Sequence, residues 1–372
     1  MTEVTLDADR RMLRLRRDNA ATTEYPYIWL RDNCPHGFHP DTGERAFDLL
    51  SVPADAAPAA VRIDGDTLIV DWQGEDHRST FDLDWLHDHA PGRPRHDPAE
   101  VAYVPWPCGA QAAQVPRVAA DALLMSDAAL LDWLRTTRAT GLSIVEGLAD
   151  GAEAGMDVAR RISFLRQTNF GTTFAVQSRP QPNNLAYTAD SLPLHTDLPN
   201  QELPPGFQFL HCLANDAEGG ESIFADGVAI AEDLRREDPE AFALLSRQSV
   251  PFRFHDETAD IRRRQTVITL DRDGAVSEVC YNAHIAGVFD MAPEVIEPYY
   301  RAYRRFMELT RDPQRVIALK LAAGEMVVFD NRRMLHGRAA FDPSTGFRHL
   351  HGCYVDRGEF ESRIRVLARD IA

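Results

Sequence analysis

The sequence predicts a mainly β fold with flanking helices, made of a small β-rich N-terminal domain and a larger C-terminal domain. Short apolar or alternating runs bounded by turn residues recur along the chain, among them FQFLHCLA, ESIFADG, PFRFHDE and RHLHGCYVD. Between His87 and Pro116, prolines and glycines are dense and no hydrophobic period lasts, which separates the runs into two groups. At 372 residues, 44% of them hydrophobic and 26% charged, the chain has the balance of an ordinary globular protein and is too long for one small core.

The expected boundaries are residues 1–95 for the first domain, 96–116 for a linker and 117–372 for the second domain. In the first, VTLDADRRMLRLR, WLRDNCPHGFHPDTGER, VRIDGDTLIVDW with its Gly-Asp turn, and STFDLDWLHDH read as short strands and turns. In the second, Ser126 is an N-cap for a helix to Thr137, followed by the strand GLSIVEG and a helix near Asp157 to Thr168. Strands then dominate, including QTVITLDRDGAVSEVCYN and RVIALKLAAGEMVVFDN. A long helix from Pro293 to Leu309 interrupts them, with Tyr299, Tyr303, Phe306 and Leu309 on one stripe that should pack on the sheet.

A net charge of −17 repels phosphate backbones and acidic membrane surfaces, so neither nucleic acid nor membrane is expected as a partner. The same field weakly favours cationic small molecules, although solubility is the plainer role of an acidic surface. The first thirty residues contain no apolar run of signal-peptide length, and no later stretch reaches the roughly 20 apolar residues of a membrane span. A cytoplasmic protein is expected. Five scattered cysteines, an odd number, suit reduced thiols in such a compartment.

The chemistry begins at SLPLHTDLPN. His195 and Asp197 are two apart, and in an extended strand such residues project from one face, so imidazole and carboxylate can reach one ion. Two histidines and a carboxylate on one face of an octahedron leave three positions open, as oxygen-activating iron requires. His-x-Asp alone has little specificity in a chain with 13 histidines. It gains specificity from His336, after the strand GEMVVFDN, and from Arg348 twelve residues later, whose guanidinium can meet a carboxylate bidentately.

With these residues in place, the chain resembles the γ-butyrobetaine and trimethyllysine dioxygenase group of iron(II)- and 2-oxoglutarate-dependent oxygenases, related to taurine dioxygenase. The resemblance covers nearly the whole length. It is carried by WLRDNCPHGFHPDTGER, NNLAYTADSLPLHTDLP, PPGFQFLHCLANDAEGGESIFADG, MLHGR and RHLHGCYVDRGEFESRIRVL. It implies a double-stranded β-helix (jelly roll) with iron between its sheets, and an N-terminal domain involved in forming a homodimer. It further implies that 2-oxoglutarate chelates iron held by His195, Asp197 and His336, with its far carboxylate on Arg348 and a nearby hydroxyl. Ser222 is the candidate hydroxyl. The products would be succinate, carbon dioxide and a substrate hydroxylated with dioxygen.

Carried over residue by residue, the resemblance puts Phe170, Phe174, Tyr187 and Tyr354 at the positions of an aromatic cage, and Asn184 and Asn282 where the substrate's anionic end binds. A quaternary ammonium has no N–H to donate, so π faces suit its diffuse charge. This chain departs from the family pattern in having phenylalanine at 170 and 174, in place of tyrosine and tryptophan, and Leu198 in place of the tyrosine after His-Thr-Asp. The rings at 170 and 174 could also be simple core. A γ-butyrobetaine-like substrate is expected, with a different anionic end, such as a trimethylammonio-ethylphosphonate, as the alternative. A small-molecule-binding barrel without chemistry is a third reading.

Where the family has a Cys-x-Cys-x-x-Cys run and a later histidine that bind zinc, this chain has Cys34, His36, His39 and His77. Two thiolates have become imidazoles, and the set remains acceptable for Zn(II). The alternative is that these are ordinary turn residues.

Overall fold

A computed structural model of the chain describes residues 2–17, 21–177 and 188–371. It divides into two compact units, Met1–Asp97 and Pro98–Ala372.

In the first unit two antiparallel three-stranded sheets form. One comprises Glu3–Asp7, Met12–Arg16 and Thr23–Pro26; the other comprises Pro58–Asp64, Thr67–Trp72 and Arg78–Asp82. Asp64 pairs with Thr67 across a two-residue turn in which Gly65 takes φ +58°, the conformation that Gly-Asp signalled. Alternating Leu13, Leu15, Leu68 and Val70 point inward onto Tyr25 and Phe81. Two segments read as strands and turns are partly helical. After the strand Arg78–Asp82, Asp82 caps the helix Leu83–Asp88 by accepting Trp85 N–H at 2.8 Å, and the helix Tyr27–Asp32 runs into the start of WLRDN.

Residues 98–116, expected as a linker, pack within the second unit. The Tyr103 hydroxyl donates to Asp226 at 2.8 Å, and the Trp106 indole donates to the Thr140 carbonyl at 2.7 Å. Prolines suppress a hydrophobic period there, so the sequence shows no element even though aromatic anchors tie the segment down.

Two sheets face one another in the second unit. The larger has the order Arg117–Ala119, Leu142–Glu146, Met326–Asp330, Phe207–Asn215, Arg348–Val355, Thr173–Gln177. The smaller has the order Leu192–His195, Met334–Arg338, Ser222–Asp226, Ile317–Leu319. Leu210, Val327 and Leu350 from one sheet meet Phe224, Leu319 and Met334 from the other in a shared core, the jelly-roll arrangement. Almost every neighbouring pair is antiparallel and distant in sequence, so the site is assembled by long-range register.

Helices cover the outer faces. Asp127–Thr140 begins at Ser126, whose hydroxyl accepts Ala129 N–H at 3.2 Å, and ends at Gly141 with φ +75°. A Cβ at Gly141 would lie 2.8 Å from the buried Arg333 side chain, so glycine is required there for space as well as for φ. The helix expected near Asp157 to Thr168 lies earlier, at Ala152–Arg160. Pro293–Thr310 matches its expected span, and its stripe is buried. Tyr299, Tyr303 and Phe306 pack mainly among Phe289, Tyr281 and the helix Pro239–Arg247, and less on the sheet itself. No helix is long and apolar enough to cross a membrane, among the described residues.

Candidate active site

The site lies between the two sheets of the second unit. His195 ends the strand Leu192–His195, and His336 sits opposite it on Met334–Arg338 in direct antiparallel register. Cross-strand partners lie about 5 Å apart, and the two imidazole centroids are 4.3 Å apart. Asp197 follows at the strand's end and brings Oδ1 to 3.2 Å from His195 Nε2 and 3.5 Å from His336 Nε2. Among the described residues, these three form the one group of three or more potential ligands whose donor atoms lie within 4.8 Å of one another.

The donor set fits a divalent iron. His195 Nδ1 bonds the Pro193 carbonyl at 2.9 Å, which makes Nδ1 the protonated nitrogen and leaves the Nε2 lone pair facing the site. Burial, then the neighbouring His195, pushes the His336 imidazole below its ordinary value and keeps it neutral. Burial pulls the Asp197 carboxyl upward, but the two imidazoles outweigh it and hold it well below the usual carboxylate range. The result is two imidazoles and one carboxylate converging on one point, the ligand set expected for a facial iron site.

Two neighbours hold Asp197 in place, a role that the sequence assigned to neither. Asn331, fully buried, accepts Asp197 N–H at 2.7 Å, and its amide donates to the Asp197 and Pro205 carbonyls at 3.1 and 3.2 Å. Tyr354, expected as a cage ring, donates its hydroxyl to Asp197 Oδ2 at 2.7 Å while its ring lies 5.0 Å from Phe174. A lone tyrosine or asparagine carries no spacing signal, so only the fold shows these contacts.

A cavity of about 320 Å³ opens from the trio, within the roughly 300–1,000 Å³ usual for small-molecule sites. Arg348 and Ser222 both line it. Arg348 is 5% exposed; its Nε donates to the Gly220 carbonyl at 3.2 Å, and it has no carboxylate partner among the described residues. Burial, reinforced by nearby Arg338, lowers its pKa to about 10, so an anionic ligand would relieve an uncompensated positive charge. Gly220, at φ +70°, makes room for it: a Cβ there would lie 3.1 Å from Arg348 Cδ. Arg338 also lines the cavity and donates to the Thr188 and Asp190 carbonyls at 2.8 and 2.7 Å.

The other expected contacts fare unevenly. Phe170 and Phe174 both line the cavity, and Phe170 meets a further ring, Phe254, at 5.2 Å. Asn282 lines it too, but its amide is already engaged, donating to the Thr196 carbonyl at 3.2 Å and accepting His284 N–H at 3.0 Å. Asn184 and Tyr187 lie outside the described residues. Asn200, at 0% exposure, lines the cavity with neither amide atom hydrogen-bonded among the described residues. It follows Leu198, whose φ of +55° is rare for a branched apolar residue and turns the chain sharply after Asp197.

The zinc candidates do not form a comparable group. Cys34 Sγ lies 3.8 Å from His36 Nδ1, and the His36 and His77 rings are 6.2 Å apart. His39 is used within its own turn, where Nδ1 accepts the Asp41 and Thr42 N–H groups at 3.3 and 3.4 Å. While that nitrogen satisfies these local backbone donors it is not free to turn to a metal.

Residues 104–354 match the taurine catabolism dioxygenase TauD, TfdA family, and residues 4–87 match the N-terminal domain of the γ-butyrobetaine hydroxylase-like family. The chain belongs to the TauD/TfdA dioxygenase family. It is 44% identical to the γ-butyrobetaine dioxygenase of Pseudomonas sp. (strain AK-1), over 92% of this chain and 90% of that one. The mitochondrial trimethyllysine dioxygenase of Homo sapiens is 29% identical over 92% of this chain and 82% of its own length. A taurine dioxygenase structure from Burkholderia xenovorans superposes with a TM-score of 0.50 at 15% identity, covering 69% of this chain and 90% of that one, and so shares the fold. The protein is an iron(II)- and 2-oxoglutarate-dependent oxygenase, and the reading as a binding barrel without chemistry is set aside.

Proposed function

We propose that this enzyme hydroxylates a small trimethylammonium zwitterion with a carboxylate end, γ-butyrobetaine or a close relative of it. The observation that carries the proposal is the polarity of the cavity. Arg348 and Tyr354 line it from the same face of one strand, six residues and thus up to about 20 Å apart. The arginine end suits the far carboxylate of 2-oxoglutarate. The ring end suits a cation that cannot donate hydrogen bonds.

In this reading His195, Asp197 and His336 would hold iron(II), and Arg348 with the Ser222 hydroxyl would fix 2-oxoglutarate. Bound iron(II) supplies the activation of dioxygen that couples decarboxylation of the oxo acid to C–H hydroxylation. Overall, substrate, 2-oxoglutarate and O2 become hydroxylated substrate, succinate and CO2. Phe170, Phe174 and Tyr354 orient the substrate's cationic head, and the apolar Phe224 and Leu350 limit water around the reacting carbon. The relatives named for γ-butyrobetaine and trimethyllysine both act on trimethylammonium compounds, which supports the cationic head. The 44% identity favours the γ-butyrobetaine type and a carboxylate end over a phosphonate. We also propose a cytoplasmic homodimer, on the grounds of the reduced cysteines and the family likeness of the first unit.

The test is anaerobic reconstitution with iron(II), addition of O2 and 2-oxoglutarate, and quantification of succinate and hydroxylated product. γ-Butyrobetaine, trimethyllysine and 2-(trimethylammonio)ethylphosphonate are compared. Stoichiometric product from γ-butyrobetaine is expected. Coupled turnover of the phosphonate or of trimethyllysine alone would overturn the proposal.

A further inference from the structure

Resting on the reading of the cavity as a trimethylammonium site, we infer that Phe254 is a specificity-determining residue that meets the substrate's cationic head. It belongs to the hairpin Ser249–His255/Asp260–Thr266, far in sequence from every other ring of the cavity.

The placement follows from alternation along the strand. Val250, Phe252 and Phe254 share one face. Val250 and Phe252 are buried in the helix-covered core, which anchors the hairpin, and Phe254 continues the same face to the cavity wall. Two further contacts fix its depth: Phe252 bridges to Ala286, and Arg253 N–H donates to the Ile285 carbonyl at 3.0 Å. On the outer side of the hairpin Arg253 grips Asp260 through two bonds of 2.8 and 2.9 Å. Phe254 is therefore held by backbone pairing on both sides of its strand.

Its ring lies 5.2 Å from Phe170 at an interplanar angle of 68°, so one ring presents an edge to the other's face. Phe174 and Tyr354 form a second pair at 5.0 Å. The described lining contains one carboxylate, Asp197, and that group belongs to the metal trio. Without a free carboxylate, attraction for a quaternary ammonium has to come from π faces, and Phe254 supplies one of the five phenylalanine and tyrosine rings in the described lining. Arg338 and Arg348 line the same cavity and repel a cation, which makes the ring-bearing region the favourable one for the head.

The test separates a π face from mere bulk. Phe254→Leu retains an apolar side chain without the quadrupole, and Phe254→Tyr retains the ring. The probes are γ-butyrobetaine, as KM and as anaerobic calorimetric Kd, and its carbon isostere 5,5-dimethylhexanoate, as a competitive inhibitor. Phe254→Leu is expected to weaken γ-butyrobetaine by about 2- to 30-fold, with the isostere's Ki and the KM for 2-oxoglutarate moving less than about twofold. Phe254→Tyr should restore binding. Equal losses for betaine and isostere, or an unchanged betaine KM, overturn the inference while leaving the proposed function standing. Absence of γ-butyrobetaine binding and turnover in the wild type overturns both.

Discussion

Replacing Tyr354 with phenylalanine should weaken iron(II) binding, because the variant keeps the ring beside Phe174 and loses the 2.7 Å hydrogen bond to Asp197 Oδ2. A hydrogen bond to a charged group contributes about 1.5–3 kcal/mol net. At about 1.4 kcal/mol per tenfold, that is roughly a 10- to 100-fold rise in the iron Kd, the range typical when an outer partner of a metal ligand is removed. The sign follows from geometry. Freed of the tyrosine, the carboxylate can rotate and no longer offers Oδ1 at 3.2 and 3.5 Å from the two imidazole nitrogens. Anaerobic titration with iron(II) in the presence of 2-oxoglutarate measures the effect, with thermal unfolding as a control for folding. An iron Kd within about twofold of the wild type, with the γ-butyrobetaine KM also unchanged, would show that Tyr354 acts as a cage ring alone and would refute the reasoning.

Other outcomes follow from the same structure. Arg348→Ala should raise the 2-oxoglutarate KM by roughly 30- to 4,000-fold, the cost of about 2–5 kcal/mol for truncating one partner of a buried charge pair, and should abolish the thermal shift that 2-oxoglutarate gives the wild type. Gly220→Ala should mimic it more weakly, since the added methyl lies 3.1 Å from Arg348 Cδ at a φ of +70°. Asn331→Asp turns an acid toward the Asp197 and Pro205 carbonyls that the amide now donates to, so it should lower the melting temperature by several degrees and release iron; an unchanged melting curve would contradict the role given to Asn331. A thiol reagent at pH 8 should modify one cysteine, exposed Cys108, in the folded protein and five after unfolding, since the other four are buried and burial raises Cys212 to about 11 and Cys353 to about 12. Two or more rapidly reacting thiols in the native state would count against the packing around Cys212 and Cys353.

Much of the site was legible because its information is local or patterned. His195 and Asp197 announce themselves by their two-residue spacing, although the strand ends at His195 and Asp197 lies just beyond it, and Arg348 by its distance from His336. The Ser126 cap, the Gly65 turn and the buried stripe of Pro293–Thr310 are likewise encoded within a few residues of one another. The zinc set shows the limit of spacing. Cys34, His36 and His39 keep the family's intervals, yet the local turn uses the His39 ring for its own backbone.

By itself, then, the sequence determined the chemistry: a mainly β chain bearing two imidazoles, a carboxylate and an arginine in the order of an iron- and 2-oxo-acid-dependent oxygenase. The tertiary structure decided who supports and shapes that chemistry. Asn331 reaches Asp197 across 134 residues and Tyr354 reaches it across 157, while Phe254 joins Phe170 from a separate hairpin. Such contacts depend on antiparallel register between distant strands, and a single hydrogen-bonding or aromatic side chain looks the same in sequence whether that register brings it to the metal, to the substrate or to the core.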